Sequence, residues 1–74
     1  MNPPVTVGRI VHYQSLGSPG GEYPSVPRAA IVTQVLSTVE VGLCVLNPEG
    51  MYFRPSCQYS DTPKAGCWNW PPRA

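Results

Sequence analysis

His12, Cys44, Cys57 and Cys67 are the residues of this chain best suited to hold a metal ion or to act as nucleophiles. Their spacing argues against zinc. A zinc knuckle aims two thiolates at one ion from a tight C-x2-C turn. Here twelve residues separate Cys44 from Cys57, and nine separate Cys57 from Cys67. Any of the thiols could meet His12 in space as a Cys/His pair, but no third residue is specified to orient one. His12 is the sole histidine, so a Ser/His/Asp set has no motif behind it, and Glu22, Glu40, Glu49 and Asp61 form no evident acid/base pair. The residue types therefore predict small buried or half-exposed thiols, no metal, no cofactor, no catalytic residues and no enzymatic activity.

Binding chemistry is better represented. Gly20-Gly21 is followed by Glu22-Tyr23, not by the lysine and helix of a phosphate-binding loop. The pair reads equally as a turn and as two amides that let a ligand approach the backbone. Tyr13, Tyr23, Tyr52, Phe53, Trp68 and Trp70 fall near strand ends or in loops. Trp68 and Trp70 share a face if their segment is a strand. One indole is expected in the core, and the other at a subunit interface or a ligand pocket. A planar base stacked on such a ring gains about 1–3 kcal/mol. Arg28 follows Pro27 at the end of a long loop, where its guanidinium could take a phosphate through two hydrogen bonds. The alternative for Arg28 is a solvated surface side chain. His12, Glu22 and Asn47 could read base edges, and Phe53 completes the aromatic set.

The elements that would position these groups are short strands. A chain of 74 residues allows one domain, here residues 1–74, with a thin core. Hydrophobic residues at 42% exclude a disordered tail, while ten prolines and seven glycines oppose a helical bundle. Residues 5–13 read as a first strand with Gly8 at an entry turn or bulge, and residues 28–35 as a second. Between them lies the Pro/Gly-rich passage 15–27. In residues 39–46, Val39, Val41, Leu43 and Val45 alternate with Glu40, Gly42 and Cys44, which predicts one core face. Asn47-Pro48-Glu49-Gly50 is a turn signal leading into residues 51–54, a strand expected to end at Pro55. Residues 56–66 read as a second loop and residues 67–70 as a last short strand closed by Pro71-Pro72. Five strands without a helix predict an all-β fold, a small five-stranded antiparallel SH3-like barrel.

Charge narrows the partners. Charged residues make up 12% and the net charge is +1, so no basic face for duplex DNA is expected. No apolar run approaches the roughly 20 residues that cross a membrane. The N-terminal residues lack the pattern of a secretion signal, and an odd cysteine count suits reduced thiols in a cytosol. Low charge also favours self-association as a dimer or tetramer.

The ordered motifs VGRIVHY, SLGSPGGEYPS, RAAIVTQV, VGLCVLNPEGMYF and CWNWP resemble a family of small proteins encoded by bacteriophages and prophages. The resemblance runs from Val7 to Pro71. It implies a phage counter-defence protein of the host cytoplasm, similar to viral sponges that sequester cyclic nucleotide immune signals without cleaving them. The expected ligand is then a cyclic dinucleotide in a pocket at a subunit interface. His12, Tyr13, Gly20, Gly21, Glu22, Tyr23, Arg28, Asn47, Phe53, Trp68 and Trp70 would surround it. The alternatives are an inhibitor that docks on a host defence enzyme and a single-stranded nucleic-acid binder.

Overall fold

The β-branched and aromatic runs form five strands in a computed structural model that describes residues 4–17 and 24–72. They are β1 (Ile10–Gln14), β2 (Pro27–Val35), β3 (Glu40–Asn47), β4 (Gly50–Gln58) and β5 (Trp68–Asn69). All pair antiparallel in one sheet of order β4-β3-β2-β1-β5. There is no helix among the described residues. The edge strands β4 and β5 share no ladder, so the sheet is not closed into a barrel. A single parallel bridge, Tyr59 with Trp68, joins the chain beyond β4 to β5.

The first strand is shorter than residues 5–13 because the chain turns just before it. Gly8 has φ +93°, a conformation that side chains resist. Around that turn the Arg9 amide donates to the Thr6 carbonyl, and the ladder to β2 is extended by the Gly8 amide on the Val32 carbonyl and the Val32 amide on the Arg9 carbonyl. Between β2 and β3, the Ser37 hydroxyl accepts from the amides of Val39 and Glu40, fixing the bend between the two strands. Asn47 pairs with Gly50 across the β3–β4 hairpin, leaving Pro48-Glu49 as its turn.

Pro55 does not end β4, contrary to expectation. The register steps from Leu43–Arg54 to Val41–Cys57, so Pro55 and Ser56 together oppose Gly42. A proline inside a bulge forfeits no ladder bond. A second irregularity lies on the other side of Gly42, between Val32 and Gln34 of β2. A Cβ on Gly42 would stand 3.2 Å from the Pro55 carbonyl oxygen and 3.3 Å from Thr33 Oγ1. The central strand thus passes between two bulges at its one residue without a side chain, and bulges bend and twist a sheet.

Val11, Tyr13, Ala30, Val32, Val41, Leu43, Val45, Cys57 and Trp68 form the buried core. Val41, Leu43 and Val45 supply the expected core face of β3. Gly42 and Cys44 on its opposite face are buried too, while Val39 lies outside the strand and is exposed. The opposite face of the sheet carries Ile10, Ile31, Cys44 and Phe53 in one cross-strand row and His12, Ala29, Leu46 and Met51 in the next.

Candidate functional site

The long loop is anchored at its base. The Ser15 amide donates to the Val26 carbonyl, and the Val26 amide donates to the Ser15 hydroxyl. The Ser25 hydroxyl donates to the Ser15 carbonyl and accepts from Gln14 Nε2. The second loop docks alongside, through the Gly66 amide on the Gln14 carbonyl and the Gln14 amide on the Cys67 carbonyl. These bonds hold Ser15, Leu16, Gly17 and Pro24 at the rim of a cleft of about 450 Å³.

Tyr13, Arg28, Asn47, Tyr52 and Arg54 supply the rest of its lining. The register explains why they meet. Tyr13 opposes Arg28, Tyr52 opposes Val45, and Arg54 opposes Leu43, so all project to the core side of the sheet. Tyr13 is 1% exposed and forms a buried wall. The edge of Tyr52 meets its ring at 6.3 Å and 83°, and Arg54 lies over the same ring. Burial raises the Tyr13 pKa above its ordinary value, with the Arg54 charge pulling it back, so the phenol stays neutral at physiological pH. Arg28 Nε is buried and has no hydrogen-bond partner among the described residues. An unpaired buried donor costs about 1–3 kcal/mol. Two guanidiniums, two phenols and an amide on one concavity suit a planar ligand that carries negative charge.

The structure brings together three of the expected site residues, Tyr13, Arg28 and Asn47. It places Trp68, Trp70, His12 and Phe53 elsewhere. Trp68 is 2% exposed in the core. Its Nε1–H donates to the Val39 carbonyl, and its ring meets Tyr59 at 5.0 Å and Trp70 at 5.6 Å, both edge to face. Trp68 and Trp70 line a separate apolar groove of about 220 Å³ with Pro4, Val5, Val39 and Tyr59. His12 and Phe53 sit on the opposite face of the sheet, because each is one residue out of phase with the cleft-lining Tyr13 and Tyr52. Gly20, Gly21, Glu22 and Tyr23 lie outside the described residues, although Gly17 and Pro24 on either side of them border the cleft.

Arg54 and Tyr52 are the site residues that the sequence reading missed. The available signal was the alternation Met51-Tyr52-Phe53-Arg54, which puts Tyr52 and Arg54 on one face and Met51 and Phe53 on the other. The cysteines are free; Cys44 and Cys57 are buried and Cys67 is half-buried. Burial raises the Cys57 pKa, which leaves a poor nucleophile, and Arg54 pulls it the other way. Among the described residues no three His, Cys, Asp or Glu side chains gather in a group that could hold a metal, and no helix is long and apolar enough to cross a membrane. Comparisons with protein-family models, with curated proteins and with solved structures returned no match to this chain.

Proposed function

We propose that the chain binds and sequesters a small phosphate-bearing nucleotide in the cleft between Arg28 and Arg54, without cleaving it. The observation that carries this reading is the buried Arg28 Nε, which has no partner among the described residues and belongs to a cleft with a second guanidinium. A ligand phosphate would satisfy that donor, and charge-assisted bonds of this kind contribute about 1.5–3 kcal/mol each. Tyr52, 36% exposed, offers a ring for a base to stack on, worth about 1–3 kcal/mol. Asn47 at the cleft margin can donate to and accept from a base edge. The resemblance to small phage-encoded proteins favours a cyclic oligonucleotide immune signal, a cyclic dinucleotide first, and a counter-defence role in the host cytoplasm.

The scaffold under this reading is a small SH3-like barrel. The strand order and the Tyr59–Trp68 bridge support it. So does the contact of Tyr13 on β1 with Tyr52 and Arg54 on β4, which requires the sheet to coil.

The test is calorimetry of purified protein with cyclic dinucleotides and cyclic trinucleotides, with linear dinucleotides and a single-stranded oligonucleotide as comparison arms. Saturable heat with a cyclic nucleotide, and recovery of that nucleotide intact from the denatured complex, is the expected result. No heat with either cyclic class up to ~100 μM, the weak end of useful affinity, overturns it. Heat with the oligonucleotide alone replaces it with single-strand binding. A second reading, an inhibitor of a host defence enzyme, is favoured by the half-buried Trp70 beside exposed Val39 in the apolar groove, since aromatic residues dominate protein–protein hot spots. Stoichiometric recovery of one host enzyme, lost on Trp70→Ala, would establish it.

A further inference from the structure

We infer that the free edge of β4 pairs antiparallel with the same edge of a second copy of this chain, which sets the partner's Tyr52 beside the cleft. A sheet edge presents unpaired N–H and C=O groups, and natural proteins blunt such edges with very short strands, prolines, bulges or charges. The other edge of this sheet is blunted. There β5 has two residues, and Pro71-Pro72 follow it closely. At the opposite end of the sheet stands β4, with nine residues. Its second half carries Pro55 and the bulge. Its first half, Gly50 to Arg54, has neither, and its one charge, Arg54, is turned over the Tyr13 ring. Met51 is 64% exposed there and Phe53 66%.

The ladder to β3 fixes which backbone groups are open. Pro48-Glu49 is a two-residue turn, so Asn47 and Gly50 are the first hydrogen-bonded pair, and such pairs alternate with open ones. Gly50, Tyr52 and Arg54 therefore bond to β3, while the amides and carbonyls of Met51 and Phe53 point out of the sheet. The next outward amide would belong to residue 55, which is proline. Only one antiparallel register uses this short edge completely. Met51 against the partner's Phe53, and Phe53 against the partner's Met51, make two pairs that each exchange two hydrogen bonds. A register centred on Phe53 sets Met51 against Pro55, and one centred on Met51 sets Phe53 against the turn residue Glu49.

The side chains agree with that register. On the outer face each Met51 lies beside a Phe53, an apolar cross-strand pair. Arg54 lies opposite Gly50, so like charges do not meet. On the cleft side Tyr52 lies opposite its own copy at the two-fold axis. Tyr52 lines the cleft, so the partner's Tyr52 comes to the cleft margin and offers a second ring to a bound base. That consequence rests on the proposed ligand; the pairing itself does not. The added strand continues the sheet alongside β4, so the coil of the sheet does not oppose it.

Sedimentation equilibrium and amide hydrogen exchange of the natural chain, without nucleotide, test it from ~10 μM to ~1 mM, the range in which small interfaces associate. The mass is expected to rise toward twice 8.0 kDa. As it rises, the Met51 and Phe53 amides should slow by at least ~10-fold in exchange, while the Tyr52 amide is protected throughout. Phe53→Pro is expected to hold the single-chain mass and keep the circular dichroism of a β-sheet, because an edge strand tolerates proline where the missing N–H faces outward. Met51→Lys, a charge of the kind that blunts natural edges, is expected to do the same. A natural chain that stays monomeric up to ~1 mM overturns the inference. So does a dimer whose Met51 and Phe53 amides exchange as fast as in the single chain, and so does a dimer that persists in folded Phe53→Pro. If neither variant folds, the exchange of those two amides in the natural chain decides. Because no nucleotide is present, failure of the cleft to bind one leaves these masses unchanged, and the two proposals fail separately.

Discussion

The Arg54 guanidinium lies 5.6 Å from the centre of the Tyr13 ring, although β4 and β1 are separated by two whole strands in the sheet. In a flat sheet three strand spacings of ~4.8 Å would hold them about 14 Å apart. The sheet therefore coils until its first and fourth strands touch across the core face. That coil builds the cleft, because it brings Arg54 and Tyr52 over to Tyr13 and Arg28. Gly42 is opposed by a bulge on each side, and bulges bend and twist a sheet.

Gly42→Ala is expected to lower stability by about 1–3 kcal/mol, the range for overpacking a tight site. Its φ is not in the left-handed region, so the cost comes from contact: the new methyl would press on the Pro55 carbonyl at 3.2 Å and Thr33 Oγ1 at 3.3 Å. Urea denaturation gives the midpoint directly. An unchanged midpoint would mean that the two bulges yield freely.

Alkaline pH should destabilise the fold in two steps. Burial raises the pKa of Cys57 above its ordinary 9.0 and that of Tyr13 above its ordinary 10.0. Both groups stay protonated in the folded chain at a pH where the unfolded chain has lost the proton. The folded state then binds more protons, so stability falls as pH rises. Their contribution is fully present below about pH 9, begins to fall first through Cys57, and falls further above about pH 10 through Tyr13. Melting curves from pH 7 to 11 should show the decline. Cys57→Ala should remove its first limb and Tyr13→Phe its second.

The core was legible where alternation was strict. Val41, Leu43 and Val45 announce one face by a period of two, and all three are fully buried. The same pattern does not tell that Gly42 and Cys44 are buried as well, because that depends on bulges and on Met51, all contributed by other strands. Pro55 was misread for a related reason. A proline ends a strand only where its missing N–H is needed, and the bulge removes the need. At the site, Tyr13, Arg28 and Asn47 were legible as residue types near strand ends. Arg54 was not: the alternation of β4 puts it on one face with Tyr52, but its partner Tyr13 arrives through the coil, which no local spacing encodes.

Trp68 and Trp70 should behave very differently despite sharing a tripeptide. Trp68 ties β5 to the rest of the sheet: its Nε1–H reaches the Val39 carbonyl at 3.0 Å, and the same carbonyl accepts the Tyr59 amide at 2.9 Å. Trp68→Phe leaves that carbonyl with one donor but loses a hydrogen bond and core volume, for a cost of about 2 kcal/mol. Trp70 is only half-buried, and Trp70→Phe should cost less than ~1 kcal/mol. Thermal melts of the two variants check the order. Equal losses would show that Trp70 carries as much of the packing as Trp68.

Arg28→Met is expected to separate binding from stability. In the free protein Arg28 Nε is buried without a partner among the described residues, a position that costs about 1–3 kcal/mol when unanswered. An apolar side chain of similar length removes that cost, so the variant should melt no lower than the natural chain. The cleft meanwhile loses one of its two guanidiniums. Affinity for a phosphate-bearing nucleotide should drop at least ~10-fold, which corresponds to about 1.4 kcal/mol. Arg54→Met should weaken binding too, but with a loss of stability, because Arg54 covers the Tyr13 ring and a cation over a ring contributes about 0.5–1 kcal/mol. Calorimetry and melting of both variants distinguish the two arginines. If Arg28→Met destabilises the fold as much as Arg54→Met does, its side chain is a structural strut, and the cleft was not built to answer a ligand.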